Sequence, residues 1–182
     1  MKDLRQSQTL PMSRAAIQSA VERVWSAYQV DLTKKIDIVR ITEWEVKDKF
    51  HIVSEDELRD YEALTETQTG DMYMREDIYV RACNGEPRAR FTMGHELAHF
   101  CLHKNQDQNK RLARDGFGAP PIRYLQPGQK ILCIYDPEWQ ASAFSGEMLM
   151  PAMHIRHMTI EEIILQYGVS RSAARYQKMR VT

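Results

Sequence analysis

A chain of 182 residues, 43% hydrophobic and 27% charged, is long enough for one well-packed core and short for two, so a single domain over residues 1–182 is expected. Its 25 Lys and Arg balance 25 Asp and Glu, which excludes a global positive field drawing the protein to nucleic acid or anionic lipid, and direct DNA binding is not expected. The longest apolar run, Ile131–Tyr135, is far below the roughly 18 residues of a membrane span, Met1–Gln8 has no apolar signal core, and Cys83, Cys101 and Cys133 lack CxxC spacing. These features predict a cytoplasmic protein with no membrane partner, its cysteines serving as small core residues.

Behind a Ser13 cap, Ile17, Val21, Val24, Trp25 and Tyr28 recur at helical spacing and predict an amphipathic helix. Residues 36–46 are β-branched yet read better as helix, Phe50–Val53 as a short strand, and Ser54–Glu57 as a capping box opening a helix to about Ala63. His51 reads as an ordinary strand side chain. Gly70 opens a hairpin candidate, with Met72 and Met74 on one strand, Ile78, Val80 and Ala82 on the next, and Asn84-Gly85 as the exit turn. Residues 90–103 read as helix, and 104–130 as a long polar segment broken by Gly116–Pro121 and Pro127-Gly128. Helix returns over Glu138–Met150 and stops at Pro151, and Thr159–Glu162 is a second capping box before two short helices hinged at Gly168.

The chemistry concentrates in His95-Glu96-Leu97-Ala98-His99. An i, i+4 pair puts both imidazoles on one helix face, one turn apart, a spacing that chelates a single ion. Glu96, about 60–100° round the helix from the histidines, flanks such an ion as a general base, while Leu97, Phe100 and Cys101 face the core. His103 continues the stripe, but i, i+4 and i+8 on a straight helix span about 12 Å, which argues against it as a third ligand. The metzincin spacing is absent, so a carboxylate from another helix is the usual remaining choice. Glu138 and Glu147 compete, nine residues and about 180° apart. Glu138 shares its face with the small residues Ala141, Ser142 and Ser145 and is preferred, although a plain helix N-terminal acid explains it equally well.

Arg90-Phe-Thr-Met-Gly-His-Glu-Leu-Ala-His-Phe-Cys-Leu-His103, followed by Glu138-Trp-Gln-Ala-Ser-Ala-Phe-Ser-Gly-Glu-Met-Leu-Met-Pro151, resembles the ImmA/IrrE family of metallopeptidases. The family pattern is an Arg-Phe-Thr lead into HExxH and then a helix of the form ExxAxxFxxxxLMP. The resemblance implies an α+β, zincin-like fold: a small, mainly antiparallel sheet, an HExxH active-site helix and a C-terminal, helix-turn-helix-like segment. It further implies Zn2+ on His95, His99 and Glu138, with Glu96 as catalytic base. On this reading about 1–65 holds N-terminal helices and a strand, 66–151 the sheet and metal-site helices, and 152–182 the C-terminal helices. Gly94, Ser145-Gly146 and the long 104–130 segment depart from the pattern without removing a ligand.

Members of the family often act on a helix-turn-helix repressor, so the implied partner is a separately encoded repressor of phage or mobile-element type. An extended substrate is expected along the hairpin edge near Ile78–Cys83, with 104–130 covering the cleft and a further oxyanion donor among His103, Tyr135, His154 and His157. Two other classes stay open: a zinc-containing binding module without hydrolysis, against which the intact Glu96 speaks, and a DNA-associated regulator suggested by the basic Arg171, Arg175, Lys178 and Arg180.

Overall fold

The computed structural model describes residues 9–104 and 132–181. Helix α1 (Arg14–Ala27) starts where Ser13 Oγ accepts from the Ala16 amide at 3.2 Å, and it buries Ile17, Ala20, Val21, Val24 and Trp25. Helix α2 (Ile38–Val46) is capped by Asp37, whose carboxylate accepts from the Arg40 amide, so the β-branched 36–46 stretch is helical from Ile38 on. Strand β1 (Phe50–Val53) follows, and the Ser54–Glu57 capping box opens only the single turn α3 (Glu55–Leu58). That helix ends at Arg59, with φ 51°, and does not reach Ala63. Ala63 instead starts strand β2 (Ala63–Glu66), whose Ala63 and Thr65 alternate into the core.

The hairpin therefore lies one strand earlier than the sequence suggests. β2 pairs antiparallel with β3 (Asp71–Arg75) across a turn closed by Gly70 at φ 80°. The expected second strand at Ile78–Ala82 is instead helix α4 (Glu76–Cys83). Ile78 and Ala82 are buried four residues apart on one helical face while Val80 is 47% exposed, so a period of two over five residues was indistinguishable from one helical turn. Glu76 and Asp77 in the first turn complement the helix dipole and tip the balance. β1 pairs parallel with β3 in the order β1-β3-β2, which makes the sheet mixed rather than mainly antiparallel. Met72 and Met74 of β3 are wholly buried beneath it.

Helix α5 (Pro87–Ala98) runs on into a π-helical turn over His99–His103. After a 3₁₀ turn at Cys133–Tyr135 comes α6 (Pro137–Leu149), the main packing partner of α5, then α7 (Ala152–Ile155), α8 (Ile160–Tyr167) and α9 (Arg171–Val181). α5 lies between α6 and the sheet, with α1 on the outside of α6 and α2 against α5. Gly168, at φ 60°, ends α8 in the left-handed conformation that glycine adopts without strain. α9 turns Ala174 and Gln177 into the core, Lys178 donates to the Ile155 and Arg156 carbonyls, and Arg171 pairs with Glu161. No helix among the described residues is long and apolar enough to cross a membrane. Residues 105–131, which hold nearly all of the expected cleft cover, lie outside the described residues.

Cys83 and Cys133 are exposed, contrary to the expectation of core cysteines, because they fall at the last turn of α4 and on the 3₁₀ turn before α6. Cys101 is half-buried, and burial first, then Glu45, push its thiol up to about 12.

Arg90 on α5 holds the C-terminal helices to the rest of the fold. It is 2% exposed, and its Nη1 donates to the Tyr167 and Gly168 carbonyls at 2.7 and 2.6 Å while Nη2 donates to the Ile36 carbonyl at 2.7 Å. The guanidinium thus caps the end of α8 and pins it to the entry of α2. Burial lowers its pKa to about 10, still charged at neutral pH.

Glu147 is buried on the opposite side of α6 from Glu138, where it accepts from the Ala152 amide at 2.9 Å and from Gln177 Nε2 at 3.0 Å. Burial raises its pKa above the ordinary 4.5, only partly offset by those two donors. The folded state therefore holds this proton more tightly than the unfolded chain, so this carboxyl's contribution to stability is complete below pH 4.5 and shrinks as pH rises through the raised value. The unfolding free energy of wild type relative to Glu147→Gln is expected to fall between pH 4 and 7. Parallel urea titrations giving a pH-independent difference would contradict this.

Candidate metal centre

The site is built where α5 meets α6. Gly94, one residue before His95, faces Ser145: a Cβ at Gly94 would lie 2.6 Å from Ser145 Oγ and 3.7 Å from Ser145 Cα. Ser145 Oγ in turn donates to the Phe91 carbonyl at 3.0 Å, so the two helices touch almost backbone to backbone. This close approach brings the first turn of α6, and with it Glu138, up to the histidines. Gly94→Val is expected to break the Ser145–Phe91 bond, spread the helices and weaken the binding of an added divalent metal by about tenfold or more. Competition against a chromophoric chelator measures it, and unchanged affinity would show that helix spacing does not set the site.

His95 Nε2 lies 3.1 Å from Glu138 Oε2 and 3.1 Å from His99 Nε2, and His99 Nε2 is 3.6 Å from Glu138 Oε1. Donor atoms of His95, Glu96 and His99 also all lie within 4.8 Å of one another. A tetrahedral ion with bonds of about 2.0–2.1 Å holds its ligand atoms about 3.3 Å apart, so the two imidazoles and the Glu138 carboxylate have the spacing for one small divalent ion. Two nitrogens and one carboxylate oxygen are also the donor chemistry that suits zinc. The residues present therefore fit a metal.

Each member of the cluster is oriented from behind. Ser142 Oγ lies 3.4 Å from His95 Nδ1. The π-helical turn widens the helix after His99 and carries His103 back against it, with the two Nδ1 atoms 2.9 Å apart. His103 is thus buried behind His99. The Asp136 carboxylate caps α6 by accepting from the Glu138 amide at 2.9 Å. Thr65 on β2 donates through Oγ1 to the Glu96 carbonyl at 3.0 Å, tying the edge of the sheet to the middle of the motif.

The electrostatics separate the two acids. Hydrogen bonding from His95 lowers the Glu138 pKa against the opposing effect of burial, and His99 adds to the lowering, so Glu138 is an anion. Burial, countered by His95 and Thr65, raises that of Glu96. Burial, then His103 and His95, push His99 down to about 3, which leaves it a neutral imidazole as a ligand must be. For His95, burial opposes charge but is outweighed by Glu138 and Glu96, and its pKa is raised.

The structure brings together His95, Glu96, His99 and Glu138 and leaves Glu147 on the far side of α6. His154 and His157 sit on and after α7, with no described hydrogen bond to the cluster. Sequence reasoning missed Thr65, Gln140 and the clamp made by Arg90. Only Arg90 carried a signal, as the first residue of the Arg-Phe-Thr lead.

The family model for peptidase M78, described as the IrrE N-terminal-like domain, matches residues 52–177. The match covers more than half of the chain, and the chain belongs to this peptidase family. Its mostly helical structure with a small mixed sheet is the α+β, zincin-like fold that membership implies, and a metallopeptidase family implies a metal. No curated protein and no solved structure gave a match.

Proposed function

We propose that the protein is a zinc-dependent, site-specific peptidase of the cytoplasm whose substrate is a separately encoded regulatory protein, a helix-turn-helix repressor of phage or mobile-element type. The observation that carries this reading is the convergence of His95, His99 and Glu138 within 3.1–3.6 Å, with the Glu96 carboxyl beside them on the same helix. His95, His99 and Glu138 would hold the ion, which supplies Lewis acidity toward a water and a peptide carbonyl oxygen. The Glu96 carboxylate takes a proton from the attacking water and delivers it to the leaving amide nitrogen, so one carboxyl serves as base and then as acid. Its burial keeps it near the reacting atoms and out of competition with bulk water.

The substrate path expected near Ile78–Cys83 is replaced, since those residues form α4. The strand bordering the site is β2, an edge of the sheet whose Thr65 contacts the Glu96 carbonyl. An extended peptide added alongside Ala63–Glu66 would place its backbone next to Glu96.

The test is incubation of the zinc-loaded protein with candidate repressors encoded near its gene, read by mass spectrometry. One discrete pair of fragments, abolished by a chelator and restored by zinc, is expected. A repressor that binds and stays intact would favour a docking module that retains the site without hydrolysis.

A further inference from the structure

Behind His99 runs a buried chain of hydrogen bonds whose direction is fixed from its far end. Gln140 is wholly buried on α6, and its Nε2 lies 3.0 Å from the Leu10 carbonyl and 2.6 Å from the Ile134 carbonyl. Carbonyls only accept, so the amide must turn its NH₂ toward them and its Oε1 the other way. Oε1 meets His103 Nε2 at 2.9 Å, and an amide oxygen can only accept, so His103 carries its proton on Nε2. With a single proton on each ring, His103 presents a lone pair at Nδ1, 2.9 Å from His99 Nδ1. His99 must donate there, which leaves the lone pair of its Nε2 directed at His95 and Glu138.

We propose that His103 and Gln140 are positioning residues that lock His99 in its Nδ1–H tautomer, so that the chain holds the metal-accepting form of this histidine before any ion arrives. The relay is anchored on two backbone segments distant in sequence. The Thr9 and Met12 amides donate to the Tyr135 and Ile134 carbonyls at 3.0 and 2.9 Å, so the N-terminal segment and the approach to α6 form one framework that holds Gln140 in register. The π-helical turn has a stated use here, since it swings His103 out of line with the His95–His99 face and behind it. Its consequence for metal affinity rests on the reading of His99 as a ligand, whereas the tautomer itself does not.

The test uses the full chain with ¹⁵N-labelled histidine, metal-free, at about pH 8, where long-range ¹H–¹⁵N spectra report which ring nitrogen is protonated. Wild type is expected to show Nδ1–H for His99 and Nε2–H for His103. An Nε2–H His99, or a doubly protonated His103, would overturn the proposal without any variant having to fold. Gln140→Leu is expected to release the lock and give a mixture of tautomers at His99, and an unchanged single tautomer would also overturn it. On addition of Zn2+ against a competing chelator, His103→Phe is expected to bind about ten- to a hundredfold more weakly than wild type, and His103→Asn, which keeps an acceptor, to recover part of the loss. Equal affinities in the three proteins would overturn the relay's role in binding. A wild type with the expected tautomers that binds no zinc would instead count against the metal-site reading alone.

Discussion

Glu96→Gln is expected to retain one zinc per chain and to lower kcat/KM by about 10²–10⁴. The amide preserves the shape of the side chain but cannot accept a proton, and the spacing of His95, His99 and Glu138 does not depend on it. Fold and metal should survive, because Thr65 bonds the Glu96 backbone carbonyl as well as influencing its side chain, and the carbonyl contact persists in the variant. Single-turnover cleavage of the substrate with parallel metal analysis reads both halves of the prediction. A variant within about threefold of wild type would remove Glu96 from the role of base, since loss of general-base catalysis costs at least about a hundredfold.

Arg90→Met is expected to cost about 3–5 kcal/mol of stability, among the largest effects available outside the metal centre. The substitution keeps most of the side-chain length but leaves the carbonyls of Tyr167, Gly168 and Ile36 without their shared donor, each such loss in a buried setting being worth about 1–3 kcal/mol. Gly168 leaves little room for repair, because a Cβ there would meet Lys35 Cε at 2.9 Å and Arg90 Nη1 at 3.2 Å, so the chain already closes tightly around the guanidinium. Arg90→Lys should fall between, since one ammonium cannot reproduce the fork that spans α8 and the entry to α2. Urea unfolding measures the difference. A loss below about 1 kcal/mol would show that solvent satisfies these carbonyls and that Arg90 is not the clamp.

Helices with a cap and a long apolar stripe were legible in the sequence: Ser13 and Thr159 mark the starts of α1 and α8 as read. Pro151 follows the end of α6, and Gly168 ends α8. Short elements were not. Five residues at Ile78–Ala82 satisfy strand alternation and helical spacing equally, and the choice falls to what lies around them, the packing of Ile78 and Ala82 and the acidic first turn of Glu76 and Asp77. The Ser54 box was real, but a cap fixes where a helix begins and not where it stops, and the pairing of Ala63–Glu66 with Asp71–Met74 claimed the residues beyond.

For the site, the i, i+4 pair places His95 and His99 together from local geometry alone. The small residues Ala141, Ser142 and Ser145 favour the Glu138 face of α6 over that of Glu147 from sequence, and the contact of Ser145 with Gly94 and Phe91 puts that face against α5. His103 shows the limit of assuming a straight helix. The 12 Å argument treats residues 95–103 as regular α-helix, whereas the π-helical turn brings His103 to hydrogen-bonding distance from His99, on the side away from Glu138. No spacing rule anticipates that turn, nor the Gln140 amide that completes the chain behind it.

The most direct measurement of the central claim is the zinc affinity of wild type against that of Glu138→Ala, by competition with a chelator of known strength. One zinc per chain, bound at least about a hundredfold more weakly when the carboxylate is removed, is the result this account predicts. Equal affinity in the two proteins, or a wild type that takes up no zinc, would contradict it.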